Sequence, residues 1–335
     1  MTRRRCRAAA AGLLVALLVA ASGACAAGPG RSTSASSATA PTSAPGRPSA
    51  APSAAATPPA TTPEGDRAAV AAAAFAGLES ATGARLGVWA LDTATGRTVE
   101  HRADERFGLA STHKVLSVAA LLAALRPGDL DAVVHWPEGD VVAHSPVTAG
   151  RGASGLTWRE VAAAALVESD NTAANLVLER VGGPAGLTGS LRAWGDTVTR
   201  SDRTEPALNE VAPGDERDTT TPRALATDVH ALLLGDAPPD GLTDEDRGLL
   251  LGWMRASTTG TGLVRAGVPD GWVVADRSGT GSHGARNDVA VVHPPGGAPV
   301  VLAVLTRHDD PDALPDDDLL ARATEVALAG LGLTG

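Results

Sequence analysis

A serine and the only lysine of the chain stand three residues apart, in the order Ser111-Thr112-His113-Lys114. An apolar run follows from Val115 to Leu125, and a helix that begins near Ser111 would bring the hydroxyl and the amine onto one face. A desolvated lysine can lose its proton and act as a base, which arginine cannot do. The pattern predicts a serine nucleophile served by a lysine, and the competing interpretation is a solvated surface lysine. His113 is expected to point away from Ser111 and to pack in the core.

Ser169-Asp170-Asn171 lies at the junction between two helical patterns. A hydroxyl at such a junction can relay protons, and an amide can hold a carbonyl group of a substrate. The competing interpretation is an ordinary helix break in which these polar side chains cap the next helix. The tripeptide alone leaves both interpretations open.

Glu205 and Asn209 lie in a stretch with little helix or strand periodicity. An acid in such a stretch is either a solvated loop residue or a general base fixed by its surroundings. A spacing of four residues lets a carboxylate and an amide share one water molecule if the segment forms a helical turn.

Arg277-Ser278-Gly279-Thr280 follows directly on the strand-like run 273–276. Glycine at the end of a strand marks the close approach of a ligand or is an ordinary turn. Arg286 lies beside the next strand-like run and adds a second cation to the same region. The segment alone leaves both interpretations open.

Strand signals occupy both ends of the body of the chain, and helix signals occupy its middle. The strand-like runs are 86–91, 97–102, 273–276, 288–292 and 300–305. Helix starts are marked by Thr157, Thr221 and Thr243. This order predicts an α+β fold in which one antiparallel sheet, flanked by helices, is built from both ends of the chain. We expect residues 64–104 and 255–335 to form this α/β part and residues 105–254 to form an inserted all-α part.

Composition excludes several classes of function. The 335 residues are 44% hydrophobic, which is enough for a core of one or two domains. A net charge of −10 repels phosphate backbones, so nucleic acid is not an expected partner. Both cysteines fall within the first 25 residues, and the eight histidines form no HxH or HExxH cluster. We expect no metal and no cofactor, and a chain without tyrosine has no tyrosyl proton shuttle.

The N-terminal region has the pattern of an export signal. Residues 1–24 have a basic start, an apolar stretch and small residues before Cys25, which predicts a signal peptide. Cleavage after Ala24 would leave Cys25 available for a lipid that tethers the protein to a membrane, but Ser22 departs from the usual lipoprotein pattern, so plain secretion stays open. Residues 25–63 are rich in Ala, Pro, Ser and Thr and predict a disordered linker. We expect an exported monomer, secreted or anchored outside the cytoplasmic membrane.

In this order and spacing, the four motifs resemble those of the class A serine β-lactamases, whose set includes S-x-x-K, S-D-N and K-T-G. The resemblance extends over about residues 66–335 and is strongest in 169–187, 205–226 and 250–292. It implies hydrolysis of the β-lactam amide bond of penicillins and related antibiotics through a serine acyl-enzyme, which confers antibiotic resistance. The implied partner is a small-molecule β-lactam.

The resemblance also implies the catalytic roles. Ser111 attacks the lactam carbonyl, and Lys114 supports this step, with either Lys114 or Glu205 taking the first proton. Ser169 passes a proton to the leaving nitrogen. Glu205 activates the water that hydrolyses the acyl-enzyme. The backbone N–H groups of Ser111 and Thr280 form the oxyanion hole.

Substrate binding is implied for six further side chains. Asn171 holds the side-chain amide of the substrate, and Asn209 helps Glu205 to position the water. The carboxylate of the substrate is received by Arg277, Ser278, Thr280 and Arg286. The only acidic sequence neighbours of the two arginines are Asp276 and Asp288, so we expect much of their charge to be free for this ligand.

Two positions depart from the family pattern, and one loop needs an anchor. Arg277 stands where most members have lysine, and His144 stands where most have Tyr or Trp at the rim of the pocket. The loop 203–218 carries the implied base but has little periodicity, so we expect an Arg203–Asp218 ion pair to fix its ends. The resemblance also implies a cis Glu205–Pro206 bond.

Two alternative functions remain to be weighed. A D-alanyl-D-alanine peptidase or penicillin-binding protein shares three of the motifs but lacks the deacylating pair of Glu205 and Asn209. A non-catalytic β-lactam sensor would be acylated once and would stay acylated.

Overall fold

The computed structural model describes residues 64–126, 128–235 and 241–333. The predicted signal peptide 1–24, the linker 25–63 and Cys25 lie outside these ranges. Within them, the helices are α1 Glu64–Thr82, α2 His113–Ala124, α3 Trp158–Val167, α4 Asn171–Arg180, α5 Gly183–Ala193, α6 Pro222–Leu233, α7 Asp244–Arg255 and α8 Asp317–Leu331. The strands are β1 Arg85–Asp92, β2 Thr98–His101, β3 Phe107–Gly108, β4 Val133–Val134, β5 Leu156–Thr157, β6 Thr219–Thr220, β7 Val273–Thr280, β8 Arg286–His293 and β9 Val300–Arg307.

Five strands form one antiparallel sheet in the order β2-β1-β9-β8-β7. The two strands from the start of the body therefore pair with the three from its end, as the sequence predicted, and the α+β fold is confirmed. Strand β7 lies at an edge of this sheet. It contacts α7 and the turn Ala110–Thr112 of the helical part.

Both faces of the sheet are covered, which explains the unbroken apolar run of β9. Val300, Leu302 and Val304 belong to the hydrophobic core shared with α1 and α8. Val301, Ala303 and Leu305 belong to the core shared with the central helices. Because successive side chains of a strand point to opposite faces, a strand buried on both sides has no polar alternation.

Helix α2 is the buried axis of the helical part. Its residues from His113 to Leu122 are all buried, and helices α3 to α7 all contact it. A helix that is apolar on every side must be surrounded by others. Its N-terminus, where Ser111 lies, is thereby held in a fixed position against the sheet.

The capping signals predicted in the sequence are present. Thr157 forms a capping box with Glu160, Thr221 caps α6, and Thr243 forms a capping box with Asp246. The expectation that residues 105–254 are all helical is wrong in detail, because this region also contains the two-residue pairs β3–β6 and β4–β5. Strands of two residues are too short to show a period of two in the sequence. No helix in the described ranges is long and apolar enough to cross a membrane.

Candidate active site

Ser111 lies in a 3₁₀ turn, Ala110–Thr112, and helix α2 begins only at His113. The prediction that His113 packs in the core is confirmed, but the prediction did not include its contact with a second catalytic residue. The His113 side chain is buried, and its Nε2 atom lies 3.4 Å from Oε1 of Glu205. The helical offset counted from Ser111 did not reveal this contact because Ser111 does not have α-helical neighbours on both sides.

The Lys114 ammonium group contacts three other residues of the site. Its Nζ atom is 2.6 Å from Asn171 Oδ1, 2.8 Å from the Ser169 carbonyl oxygen and 3.1 Å from Ser169 Oγ. A fourth contact joins Nζ to Glu205 Oε1 at 3.1 Å. The lysine is completely buried. The alternative of a solvated surface lysine is therefore excluded by the structure.

Burial also sets the proton affinity of this amine. Desolvation lowers the pKa of Lys114 from 10.5 to about 8, and the negative charge of Glu205 opposes this shift. The positive charge of Arg277 adds to the lowering. Lys114 therefore holds its proton at neutral pH but releases it far more readily than an exposed lysine.

Glu205 is held by its backbone and by its carboxylate. Asn175 donates from Nδ2 to the Glu205 carbonyl oxygen at 2.9 Å and accepts from the Glu205 N–H at 2.8 Å. Oxygen Oε1 of the buried carboxylate accepts from Ser111 Oγ at 3.3 Å. Burial alone would raise the pKa of Glu205, but the hydrogen bond with His113 and the charge of Lys114 outweigh it and hold the pKa well below its usual range. The carboxylate is thus ionised at neutral pH.

The loop that carries Glu205 is anchored as expected. Arg203 Nε contacts Asp218 Oδ2 at 2.6 Å, which confirms the predicted ion pair. The Glu205–Pro206 bond is cis, as the resemblance implied. Asn209 lies in a short 3₁₀ turn and donates from Nδ2 to Glu205 Oε2 at 2.5 Å. The amide and the carboxylate are therefore adjacent, and Asn209 Oδ1 is buried without a partner among the described residues.

Strand β7 lies unusually close to the turn that holds Ser111. A Cβ atom on Gly279 would lie 3.0 Å from Ser111 N and 3.1 Å from Thr112 N, so only glycine allows this approach without displacement. Arg277 Nε donates to the Ser111 carbonyl oxygen at 3.0 Å, and its Nη2 donates to Ser169 Oγ. Strand β7 therefore ties the nucleophile to the Ser169 hydroxyl.

The expectation of free charge on the two arginines is wrong. Arg277 is buried, and its Nη1 donates to the Leu166 carbonyl oxygen at 3.0 Å in addition to the two contacts above. Burial lowers the pKa of Arg277 to about 10 against the charges of Asp276 and Asp288, so it stays protonated. Arg286 Nε pairs with Asp317 Oδ1 at 2.6 Å. Asp317 is distant in sequence, so a search of sequence neighbours could not find it.

The predicted residues converge on one cleft of about 320 Å³. Its walls include Ser111, Ser169, Asn171, Asn209, Arg277, Ser278, Thr280 and Arg286. Lys114 and Glu205 contact these residues from behind Ser111 and Ser169. His144 also lines the cleft, in keeping with its predicted place at the rim. No cluster of three or more His, Cys, Asp or Glu in the described part of the chain is placed to hold a metal ion.

Sequence reasoning missed three polar residues of this region. Asn175 fixes the Glu205 backbone, Asp317 pairs with Arg286, and Thr259 lines the cleft with its Oγ1 2.7 Å from Ser278 Oγ. Asn175 lies one helical turn after Asn171, and that spacing was a signal in the sequence. Asp317 and Thr259 had no such signal.

The cleft and the side chains directly behind it therefore combine a serine hydroxyl, a buried ammonium, an ionised carboxylate and two further cations. This set can transfer an acyl group to serine and can activate a water against the resulting ester. Fold and site together define a serine hydrolase that works by acyl transfer.

Comparisons with known proteins agree with this class. A model of the β-lactamase enzyme family matches residues 69–330. The chain is 50% identical over 258 residues to a β-lactamase of Amycolatopsis lactamdurans, covering 77% of this chain and 84% of that one. It is 51% identical over 266 residues to β-lactamase AST-1 of Nocardia asteroides, covering 79% and 84%.

Solved structures show the same similarity. The crystal structure of a class A β-lactamase from Clostridium kluyveri has a TM-score of 0.75 and 43% identity, and the match covers 78% of this chain and 98% of that one. The β-lactamase from Streptomyces albus G has a TM-score of 0.75 and 45% identity, with 79% and 100% covered.

The chain belongs to the β-lactamase enzyme family, and its structural neighbours are class A members. It hydrolyses the β-lactam amide bond and thereby confers antibiotic resistance. The alternatives of a D-alanyl-D-alanine peptidase, a penicillin-binding protein or a non-catalytic sensor are not favoured by these relatives.

Proposed function

We propose that Ser111 is the nucleophile and that a closed relay of protons serves it. Ser111 Oγ contacts Glu205 Oε1 at 3.3 Å, Glu205 Oε1 contacts Lys114 Nζ at 3.1 Å, and Lys114 Nζ contacts Ser169 Oγ at 3.1 Å. These three contacts connect the Ser111 hydroxyl, which loses a proton in the attack, to the Ser169 hydroxyl, which supplies a proton to the leaving nitrogen. The relay needs no group beyond the four side chains.

In acylation, these four side chains pass protons to one another in turn. Ser111 Oγ bonds to the lactam carbonyl carbon, and its proton passes to Glu205. The carbon–nitrogen bond of the lactam breaks, and the nitrogen takes the Ser169 hydroxyl proton. Lys114 replaces that proton, and Glu205 returns its own to Lys114. Each donor and acceptor is regenerated, and the products are an ester on Ser111 and an amine in the opened lactam.

Glu205 and Asn209 are proposed to complete the cycle by deacylation. An ester is stable unless a water is activated beside it, and the ionised Glu205 is a base in contact with the nucleophile. The unpartnered Oδ1 of Asn209 is an acceptor that can hold one hydrogen of this water. Water attacks the ester carbon, Glu205 takes the proton, and Ser111 regains it as the carbon–oxygen bond breaks. The Glu205–Asn209 pair beside Ser111 is the observation on which this proposal rests.

Replacement of Glu205 by Gln tests this step. The variant keeps the shape of the side chain but cannot accept a proton. Acylation then depends on Lys114, whose pKa falls without the Glu205 charge, as the acceptor of the Ser111 proton and is slowed. Deacylation loses its base altogether, so we expect an acyl-enzyme that persists on Ser111. Mass spectrometry after brief exposure to a penicillin measures the added mass. Glu210→Gln is the matched control, because Glu210 lies in the same loop and its side chain is 78% exposed. Turnover of Glu205→Gln at the wild-type rate would contradict the mechanism.

Substrate recognition is proposed for the side of the cleft that is formed by β7 and by Arg286 at the start of β8. Arg286 and Thr280 are joined at 2.8 Å between Nη1 and Oγ1, and they lie near Ser278 on β7. These donors form an edge for the substrate carboxylate, with the buried charge of Arg277 behind it. Asn171 is assigned the side-chain amide of the substrate, and the Ser111 and Thr280 backbone N–H groups the oxyanion.

Export, and a tether through Cys25, is proposed from the N-terminal sequence alone. The signal pattern of residues 1–24 and the linker 25–63 support a protein held or released outside the cytoplasmic membrane. Fractionation of cells that express the wild type, Cys25→Ser and the control Cys6→Ser tests the tether. We expect only Cys25→Ser to move from the membrane to the medium. Wild-type protein found wholly in the medium would overturn lipidation.

A further inference from the structure

His113 contacts the carboxylate of Glu205 from a completely enclosed position. The His113 and Glu205 side chains are 2% and 0% exposed, and Nε2 lies 3.4 Å from Oε1. A carboxylate only accepts hydrogen bonds when it is ionised, so Nε2 must carry the hydrogen. Burial lowers the pKa of His113, and the charges of Lys114 and Arg277 lower it further against the opposing effect of Glu205. The ring is therefore neutral, and its Nδ1 has no proton.

The stability of the fold does not explain this histidine. Nδ1 of His113 is buried without a hydrogen-bond partner among the described residues. An apolar aromatic ring of similar size would fill the same space without an unsatisfied nitrogen. The contact with Glu205 is what distinguishes histidine from such a ring at this position.

Hydrogen-bond donors are distributed unequally over the two oxygens of Glu205. In the free enzyme Oε1 faces three donors, Ser111 Oγ, Lys114 Nζ and His113 Nε2. In the acyl-enzyme Ser111 Oγ carries the acyl group and no hydrogen, so two donors remain on Oε1. Oε2 receives the amide of Asn209, beside the unpartnered Asn209 Oδ1. An oxygen that accepts several hydrogen bonds is a poorer proton acceptor than one that accepts few. The carboxylate therefore presents Oε2 to the water that Asn209 binds.

We propose that His113 is a positioning residue for deacylation: its Nε2–H holds Glu205 Oε1, which fixes the carboxylate rotamer and leaves Oε2 as the oxygen that activates water. The other charged groups that act on this carboxylate are Lys114, on the same helix as His113, and Arg277 on β7, and Asp170 at the start of α4 acts on Lys114. Acylation uses Oε1 through the Ser111 contact and does not depend on the choice of Oε2. This inference rests on the proposed role of Glu205 as the deacylating base.

Two variants separate positioning from packing. His113→Phe keeps an aromatic ring and removes the donor, whereas His113→Gln keeps an N–H near the position of Nε2. Acylation and deacylation rate constants are measured separately by stopped-flow and by mass spectrometry of the acyl-enzyme at pH 7. We expect His113→Phe to slow deacylation about tenfold and acylation less than about threefold, and His113→Gln to restore deacylation to within about threefold of wild type. The melting temperature of His113→Phe should equal or exceed that of wild type.

Three results would overturn the proposal. Deacylation of His113→Phe at the wild-type rate would show that the contact between His113 and Glu205 does not affect this step. Failure of both variants to the same extent, or a melting temperature of His113→Phe well below wild type with both steps slowed equally, would show a packing role. Glu205→Gln is run in parallel: if it deacylates normally, the assigned role of Glu205 fails, and if it stalls while His113→Phe does not, only the role of His113 fails.

Discussion

Lys114 Nζ and Glu205 Oε1 lie 3.1 Å apart, and both side chains are completely buried. Their charges stabilise each other, but desolvation still lowers the pKa of Lys114 to about 8. Because Lys114 is the only lysine in the sequence, protein labelled with ¹³C-lysine gives a single lysine signal. We expect this signal to titrate with a midpoint near 8, and a midpoint above 10 would contradict the buried contact.

Because the pKa of Lys114 is lowered, we expect the rate of acylation to depend on pH. The relay needs Lys114 as an ammonium ion that can give its proton to Ser169, and the lowered pKa means that this form is lost as the pH rises through about 8. The acylation rate should therefore fall on the alkaline side with the midpoint of the NMR titration. In Glu205→Gln, the charge that raises the pKa of Lys114 is gone, so its midpoint should move to lower pH. A shift to higher pH would exclude the assigned coupling.

Arg286 is predicted to bind the carboxylate of the substrate in competition with Asp317. Arg286→Ala should raise KM for penicillins about tenfold, since a hydrogen-bonded charge is lost, with little change in melting temperature. Asp317→Asn should lower KM, because it removes the carboxylate that already occupies the guanidinium. Arg307→Ala, which breaks the pair between the last residue of β9 and Asp309 just after it, is the control. An unchanged KM in Arg286→Ala would remove Arg286 from the binding site.

The Arg203–Asp218 ion pair at the ends of the catalytic loop should contribute more to the free energy of unfolding than the exposed Asp215–Arg217 pair. Asp218 accepts from Arg203 Nε at 2.6 Å and from the N–H groups of Asp202 and Arg203, and its side chain is nearly inaccessible. Asp218→Asn should cost about 1–3 kcal/mol of unfolding free energy and slow deacylation, because Glu205 lies in this loop. Asp215→Asn, which weakens the exposed pair with Arg217, should cost less than about 1 kcal/mol. Urea unfolding measures both, and equal losses would argue against the anchor.

The buried carboxyl group of Asp228 should make the free energy of unfolding fall as the pH rises. Burial and the nearby charge of Asp196 raise the pKa of Asp228 well above its usual value. The folded state thus keeps a proton that the unfolded state loses above about pH 4, so stability declines by up to about 1.4 kcal/mol per pH unit until the folded pKa is passed. Asp228→Asn cannot ionise and can still donate to Asp196.

This variant should therefore be more stable than wild type at pH 7 and show no such gain near pH 4. Urea unfolding at both pH values gives the comparison. Asp312→Asn, at an exposed carboxylate, is the matched control. A gain of equal size at the two pH values would mean that the carboxyl group is not protonated in the folded state.

The sequence alone determined the long strands, the helix caps and the motif residues, because these follow from local chemistry. Thr157 and Glu160 are three residues apart, so their capping box is a property of one helical turn. The strand and helix order likewise predicted a sheet built from both ends of the chain. The loop anchor of Arg203 and Asp218 was predicted because a loop without periodicity needs one.

Only the tertiary structure decided the partners of His113 and Arg286. The contact of His113 with Glu205 depends on a 3₁₀ turn that rotates α2 relative to Ser111. The pairing of Arg286 with Asp317 joins β8 to the start of α8. Such contacts arise where separately formed elements pack together, and the distances between their side chains are set by that packing, which no local pattern of residue types records.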